Sequence, residues 1–92
     1  MQGELPTELG NIKSLKELNV DDNEISGTIP EQLSNLSDLQ VLNLGTNNLQ
    51  GSIPENLFDN MESLASFSVS SSDITGSLPT SMGNLSGKLV TL

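Results

Sequence analysis

Short alternations of apolar and polar residues recur along the chain. Leu18 and Val20 flank Asn19, Leu42 and Leu44 flank Asn43, and Phe67 and Val69 flank Ser68. A period of two is the mark of a strand with one buried face, so each triplet predicts a short strand. Further aliphatic positions follow at Ile25, Leu49 and Ile74, then at Ile29, Ile53 and Leu78, all expected to point into a common core. Two more sets, Leu9, Leu33, Leu57 and Met82, and Ile12, Leu36, Met61 and Leu85, predict short helical or 3-10 segments that fill the back of that core.

These positions belong to a repeat. Gly3, Gly27, Gly51 and Gly76 open successive units, at steps of 24, 24 and 25 residues, and Pro6, Pro30, Pro54 and Pro79 follow three residues behind. A period of this size signals a solenoid, in which one strand per unit stacks on the next and no unit is stable alone. The glycines mark tight backbone turns. Each proline stands near the start of a helical segment, where a fixed φ helps and a missing N–H costs little. The units are 3–26, 27–50, 51–75 and an incomplete 76–92, and together they predict a single domain over 1–92. The third unit carries one extra residue in LFDNM and the fourth one in LSGKL; both insertions are expected to become loop on the variable side of the coil.

The stretches LKELNVDDNEI (15–25) and LQVLNLGTNNL (39–49) match the pattern L-x-x-L-x-L-x-x-N-x-L, with Val20 and Ile25 as aliphatic substitutes in the first. This resembles the leucine-rich repeat family, and the continuations GTIP and GSIP, with GELP and GSLP close to them, resemble its plant-type subclass. The resemblance covers residues 3–92. It implies an α/β solenoid, a right-handed coil with a parallel sheet on the concave face and short 3-10 or helical segments on the convex side, and a second short strand at the G-x-I-P element. It also implies that Asn23 and Asn47 lie inside the coil and bond the backbones of adjacent units, a role suited to an amide with donors and an acceptor. Ser72 takes that place in the third unit, where a shorter hydroxyl predicts a weaker ladder. Asn11, Asn35, Asn60 and Asn84 form a second polar column, read as local backbone capping.

Composition narrows the functions. Three lysines and no arginine stand against twelve acids, a net charge of -9. Such a chain does not suit nucleic acid, whose phosphates need Lys and Arg, nor an anionic membrane surface. There is no cysteine or histidine, which removes disulfides, thiolates, the common zinc sets and a histidine base; no cofactor, no metal and no catalytic residue is expected, and the chain is not read as an enzyme. Asp21, Asp22 and Glu24 cluster after the first strand, but DDNEISG lacks the calcium-loop order, since Ile25 stands where an oxygen ligand belongs, so a solvated acidic patch is the reading. No apolar run is long enough to span a membrane. Both ends lie inside repeat units without the polar outer face of a terminal repeat, so we expect a segment of a longer receptor-like array with no targeting signal of its own.

The concave face is the candidate site, because solenoids work through extended surfaces. Its outward residues are Glu17, Asn19 and Asp21, then Val41, Asn43 and Gly45, then Ser66, Ser68 and Ser70, flanked by Asp22, Thr46 and Ser71. The face runs from acidic to small and hydroxyl-rich. It carries no arginine or exposed aromatic, the residues that dominate interface energetics. The expected function is protein or peptide recognition, with a basic partner allowed by the charge, in an extracellular or cell-surface protein by resemblance to receptor-like kinases and receptor-like proteins. The alternative is a purely structural or capping segment that binds nothing, with edge-to-edge self-association through open sheet edges. Ice or carbohydrate binding ranks lower: the rows Glu17/Val41/Ser66 and Asp21/Gly45/Ser70 are irregular, and Phe58 and Phe67 are the only aromatics. Asn35-Leu36-Ser37 and Asn84-Leu85-Ser86 are N-glycosylation acceptors in a secreted chain.

Overall fold

A computed structural model of the chain describes residues 2–70, 72–76, 79–85 and 89–91. Eight short strands occur among them: β1 (Gln2–Glu4), β2 (Glu17–Asn19), β3 (Glu24–Gly27), β4 (Val41–Asn43), β5 (Asn48–Gly51), β6 (Ser66–Ser68), β7 (Asp73–Ile74) and β8 (Leu89–Thr91). They form two parallel sheets, ordered β2-β4-β6-β8 and β1-β3-β5-β7. The first is built from the alternating triplets. It pairs Leu18 with Leu42, Leu42 with Phe67 and Phe67 with Val90, so each core residue sits beside its counterpart one unit away. The second is an extra short strand per unit, but it lies largely ahead of the G-x-I-P element where it was expected: β3 and β5 end on the opening glycine of that element, and β7 stops at Ile74, two residues short of Gly76. The chain is a coil of the kind that the resemblance implies, with β2-β4-β6-β8 on its concave face.

Behind the strands lie 3-10 helices at Thr7–Asn11, Glu31–Asn35 and Thr80–Leu85. Pro6 and Pro30 precede the first two with φ of -72° and -71°, the value their rings impose. The third unit departs from the expectation: its back is a run of turns over 55–60, closed by Leu57 N–H to Pro54 O (3.1 Å) and Asp59 N–H to Asn56 O (3.2 Å). The extra residue there interrupts the spacing that lets the other units close a 3-10 helix. Nor is the insertion idle loop. Phe58 is only 1% exposed and packs edge-on against Phe67, ring centres 4.9 Å apart and planes at 76°. The fourth-unit insertion, with Leu78 and the Leu85 side chain, lies outside the described residues.

The second unit shows the core at its most complete. Leu33, Leu36, Leu39, Leu42, Leu44 and Leu49 have no exposed surface at all. In the first unit the matching Leu9, Leu15 and Leu18 are only partly buried, and Ile12, expected in the core, is 47% exposed. The reason is the geometry of a stack: a unit's leucines are covered on one side by their own coil and on the other by a neighbour. No described residue covers the outer side of Ile12. Ile74 and Met82 are likewise only partly buried.

Turn chemistry fixes the coil. Gly3, Gly27, Gly51 and Gly76 all adopt left-handed φ between 80° and 92°. At Gly27 the φ of 80° favours glycine, and a Cβ there would also push aside the flexible Glu4 side chain, whose Cγ would lie 2.8 Å away. The asparagine ladder is built at Asn47, which is 7% exposed. Its Oδ1 accepts from Ile25 N–H (3.0 Å), and its Nδ2 donates to Val20 O (2.9 Å), both in the preceding unit, and to Leu44 O and Gly45 O in its own. Asn23 Nδ2 donates to Val20 O and Asp21 O. The Ser72 Oγ is buried with no hydrogen-bond partner among the described residues, so the side-chain connection seen at Asn47 is not repeated at the third unit. Asn11, Asn35 and Asn60 are exposed, and their amides cap nothing among the described residues, which corrects their reading as local caps.

Candidate functional site

β2, β4 and β6 place alternate side chains on the concave surface because their intervening residues are held in the core. Glu17 and Asn19 are exposed; Val41, Asn43, Ser66 and Ser68 are half-buried. Parallel register sets Glu17 beside Val41 and Val41 beside Ser66, and likewise Asn19, Asn43 and Ser68. The structure therefore brings these six predicted residues together in two rows across three units.

Just past the strands the surface is shaped by its own hydrogen bonds. Asn19 Oδ1 accepts from Asp21 N–H (3.4 Å) and Asn43 Oδ1 from Gly45 N–H (3.2 Å), while the Ser68 and Ser70 hydroxyls lie 3.4 Å apart. Gly45, expected as a surface position, is buried. A Cβ on it would approach Ser70 O to 3.1 Å and Ser70 Oγ to 3.2 Å, so the third unit closes over it and the middle of the face is a backbone floor. Asp22 and Thr46 are exposed and both adopt left-handed φ, 58° and 52°, which turns the chain off the sheet edge. Thr46 N–H donates to Ser70 O (2.8 Å) and Asp22 N–H to Gly45 O (3.3 Å), tying this turn to the next unit. For a β-branched residue the left-handed region is strained. Ser71 and the Asn84 side chain lie outside the described residues.

The charge on this face is graded. Glu17, Asp21 and Asp22 crowd the first unit, and no acidic residue occupies the outward rows of the next two. Among the described residues no group of three or more His, Cys, Asp or Glu side chains could hold a metal ion. Phe58, named above as one of two aromatics, is buried like Phe67 and offers no stacking surface to a sugar ring.

The convex side holds a cluster that sequence reasoning missed. Glu55 Oε1 accepts from Thr80 Oγ1 (2.6 Å) and Thr80 N–H (3.0 Å), so a carboxylate of the third unit caps the 3-10 helix of the fourth. Ser81 Oγ donates to Glu55 O (2.7 Å) and receives Phe58 N–H (3.4 Å). The Thr80 hydroxyl, and then its amide, hold the Glu55 carboxyl below the ordinary carboxylate range. The available signal was positional: Glu55 and Thr80 follow Pro54 and Pro79, so they fall side by side in consecutive units.

A family model for the leucine rich repeat matches residues 13–86. The chain belongs to the leucine-rich repeat family. Its coil is also similar to solved plant receptors. The plant peptide hormone receptor RGFR1, solved in complex with RGF2, is 36% identical over 90% of this chain and 13% of its own, with a TM-score of 0.82. The Arabidopsis receptor kinase HAESA, solved with the peptide hormone IDA and the co-receptor SERK1, is 32% identical over 91% of this chain and 14% of its own, with a TM-score of 0.86. The ectodomain of the Arabidopsis receptor kinase SOBIR1 is 27% identical over 99% of this chain and 49% of its own, with a TM-score of 0.87. This leucine-rich repeat chain thus spans between 13% and 49% of the length of these solved chains. A search of curated protein sequences finds no match.

Proposed function

We propose that this leucine-rich repeat chain is a non-catalytic recognition segment of an extracellular or cell-surface array, and that it engages a protein or peptide through its concave sheet. The observation that carries the reading is the pair of outward rows, Glu17/Val41/Ser66 and Asn19/Asn43/Ser68. They form a surface with no internal role beyond the Asn and Ser contacts at its margin. Similar coils in RGFR1 and HAESA come from structures that contain peptide hormones, which supports the same class of ligand here. The acidic end, at Glu17, Asp21 and Asp22, favours a ligand with basic residues at one end, and the small neutral rows that follow allow close backbone approach.

The test is peptide selection from a random displayed library on the immobilised chain, followed by calorimetry of the selected peptides. Asn43→Arg and Ser68→Arg alter the concave rows; Gln32→Arg and Asn56→Arg alter exposed convex positions and add the same charge. The concave pair should weaken binding at least roughly tenfold, ~1.4 kcal/mol, and the convex pair should leave it unchanged. Peptides weakened only by the convex pair would move the site to the other side of the coil. A library that yields no binder would favour the purely structural role, in which the face is solvated strand and nothing more.

A further inference from the structure

We propose that Asn35 carries an N-linked glycan, fixed to the convex flank between the second and third units. The proposal rests on the extracellular reading above. Asn35-Leu36-Ser37 is the N-x-S acceptor pattern, with no proline at its centre. The same column holds Asn11 and Asn60, but Lys13 and Glu62 stand two residues after them, so neither is an acceptor.

The structure adds three observations to the motif. First, the Asn35 side chain has no structural duty. It is exposed at the end of the 3-10 helix Glu31–Asn35, and its amide makes no hydrogen bond to any described residue. Second, the motif turns sharply at its middle residue. Leu36 has φ -89° and ψ 72°, near the inverse γ-turn, and Ser37 N–H donates to Asn35 O at 3.1 Å. Leu36 is wholly buried while Asn35 and Ser37 are both exposed, so the acceptor and the hydroxyl residue stand on the surface at either side of an anchored centre. Third, there is room. Asn35 borders an open cleft of about 390 Å³ shared with Glu31, Gln32, Pro54, Glu55 and Asn56, into which a first sugar can settle without displacing core.

The chemistry is a group transfer. The co-reactant is an oligosaccharide linked to a lipid through pyrophosphate, used by the membrane-bound transferase of the secretory route. The amide Nδ2 of Asn35 attacks the anomeric carbon, an N–C bond forms, and the C–O bond to pyrophosphate breaks. The lipid pyrophosphate leaves with the bonding pair, and the amide gives up one proton. Redox balance is unchanged. A glycan in this position shields the convex flank and leaves the concave rows of β4 and β6 open, since Asn35 and those strands lie on opposite sides of the buried leucines.

The chain is expressed behind a secretory leader in animal cells, with a second acceptor tripeptide in an appended flexible tail, and collected from the medium. Glycosidase release and peptide mass then read occupancy at Asn35 and in the tail. Asn35 should be occupied in most secreted molecules, and occupancy should vanish in both Asn35→Gln and Ser37→Ala while the tail stays modified. Both substitutions touch exposed side chains, and circular dichroism checks that each variant folds. A bare Asn35 beside a modified tail overturns the proposal and leaves the recognition reading standing, because the chain has then met the transferase and been refused.

Discussion

Asn47→Ala tests the ladder most directly. In the wild type Asn47 satisfies Ile25 N–H at 3.0 Å and reaches Val20 O at 2.9 Å across the boundary between units. Removing the amide leaves Ile25 N–H, in a residue with no exposed surface, without its acceptor. A stranded buried donor costs about 1–3 kcal/mol. Val20 O keeps a partner in Asn23 Nδ2 and Gly45 O one in Asp22 N–H, so losing these shared bonds and the longer one to Leu44 O adds only about 1 kcal/mol. The sum, about 2–4 kcal/mol, corresponds to a fall in Tm of roughly 10–25 °C for a chain of this size. The control is Ser72→Ala. Its hydroxyl is buried and unpartnered, so its removal should be neutral or slightly stabilising. Urea unfolding followed by circular dichroism measures both. An Asn47→Ala variant within ~0.5 kcal/mol of wild type, or a Ser72→Ala variant destabilised as strongly as Asn47→Ala, would refute the hydrogen-bond reasoning.

Thr46→Asn should raise stability by about 1 kcal/mol, because asparagine tolerates the left-handed φ of 52° that strains a β-branched residue; an unchanged or lower urea midpoint counts against strain at this turn. Phe58→Ala should cost about 3–5 kcal/mol, the figure for a buried ring, whereas an insertion that was mere loop would tolerate it without measurable loss. Glu55 carries a pH signature. Its folded carboxyl lies below its unfolded value, so its contribution is present above the unfolded pKa and is lost as pH falls through the folded one. Stability of wild type minus that of Glu55→Gln, measured by urea titration across the acid range, should therefore shrink as pH drops; a flat difference would remove the Thr80 contact as its cause.

The repeat made much of this legible. Two columns of alternating residues were enough to place β2, β4 and β6 and their outward rows, because a buried strand face must be apolar at every second position. Asn47 was legible only through the resemblance to the leucine-rich repeat pattern, which implies an amide inside the coil at that place; the structure supplies its bonds to Ile25 and Val20. Other features depended on neighbours in space. Ile12 carries the same residue class as Leu36 yet is exposed, because burial in a stack is conferred by the adjoining unit and not by the residue itself. Phe58 sits in an insertion, and only the position of Phe67 across the core shows that the extra residue is an anchor. Gly45 looked like surface by its strand phase, but a residue without a side chain lets Ser70 close over it. The Glu55–Thr80 contact joins residues 25 positions apart, linked in the sequence only by their shared place after Pro54 and Pro79 in consecutive units.

The close packing of elements here is between like elements of adjacent units, strand to strand and 3-10 helix to 3-10 helix. Under a stretching force applied to its two ends, such a coil has no close packing between distant elements, among the described residues, to hold it shut. It should unspool from an end, one turn of about 24 residues at a time, and give a staircase of extension rather than a single rupture. The amide clasp between the first two turns and the missing clasp at Ser72 make that staircase uneven. The turn holding Ser72 should slip at lower load, so the part of the concave sheet carried by β6 should be mechanically softer than the part carried by β2 and β4.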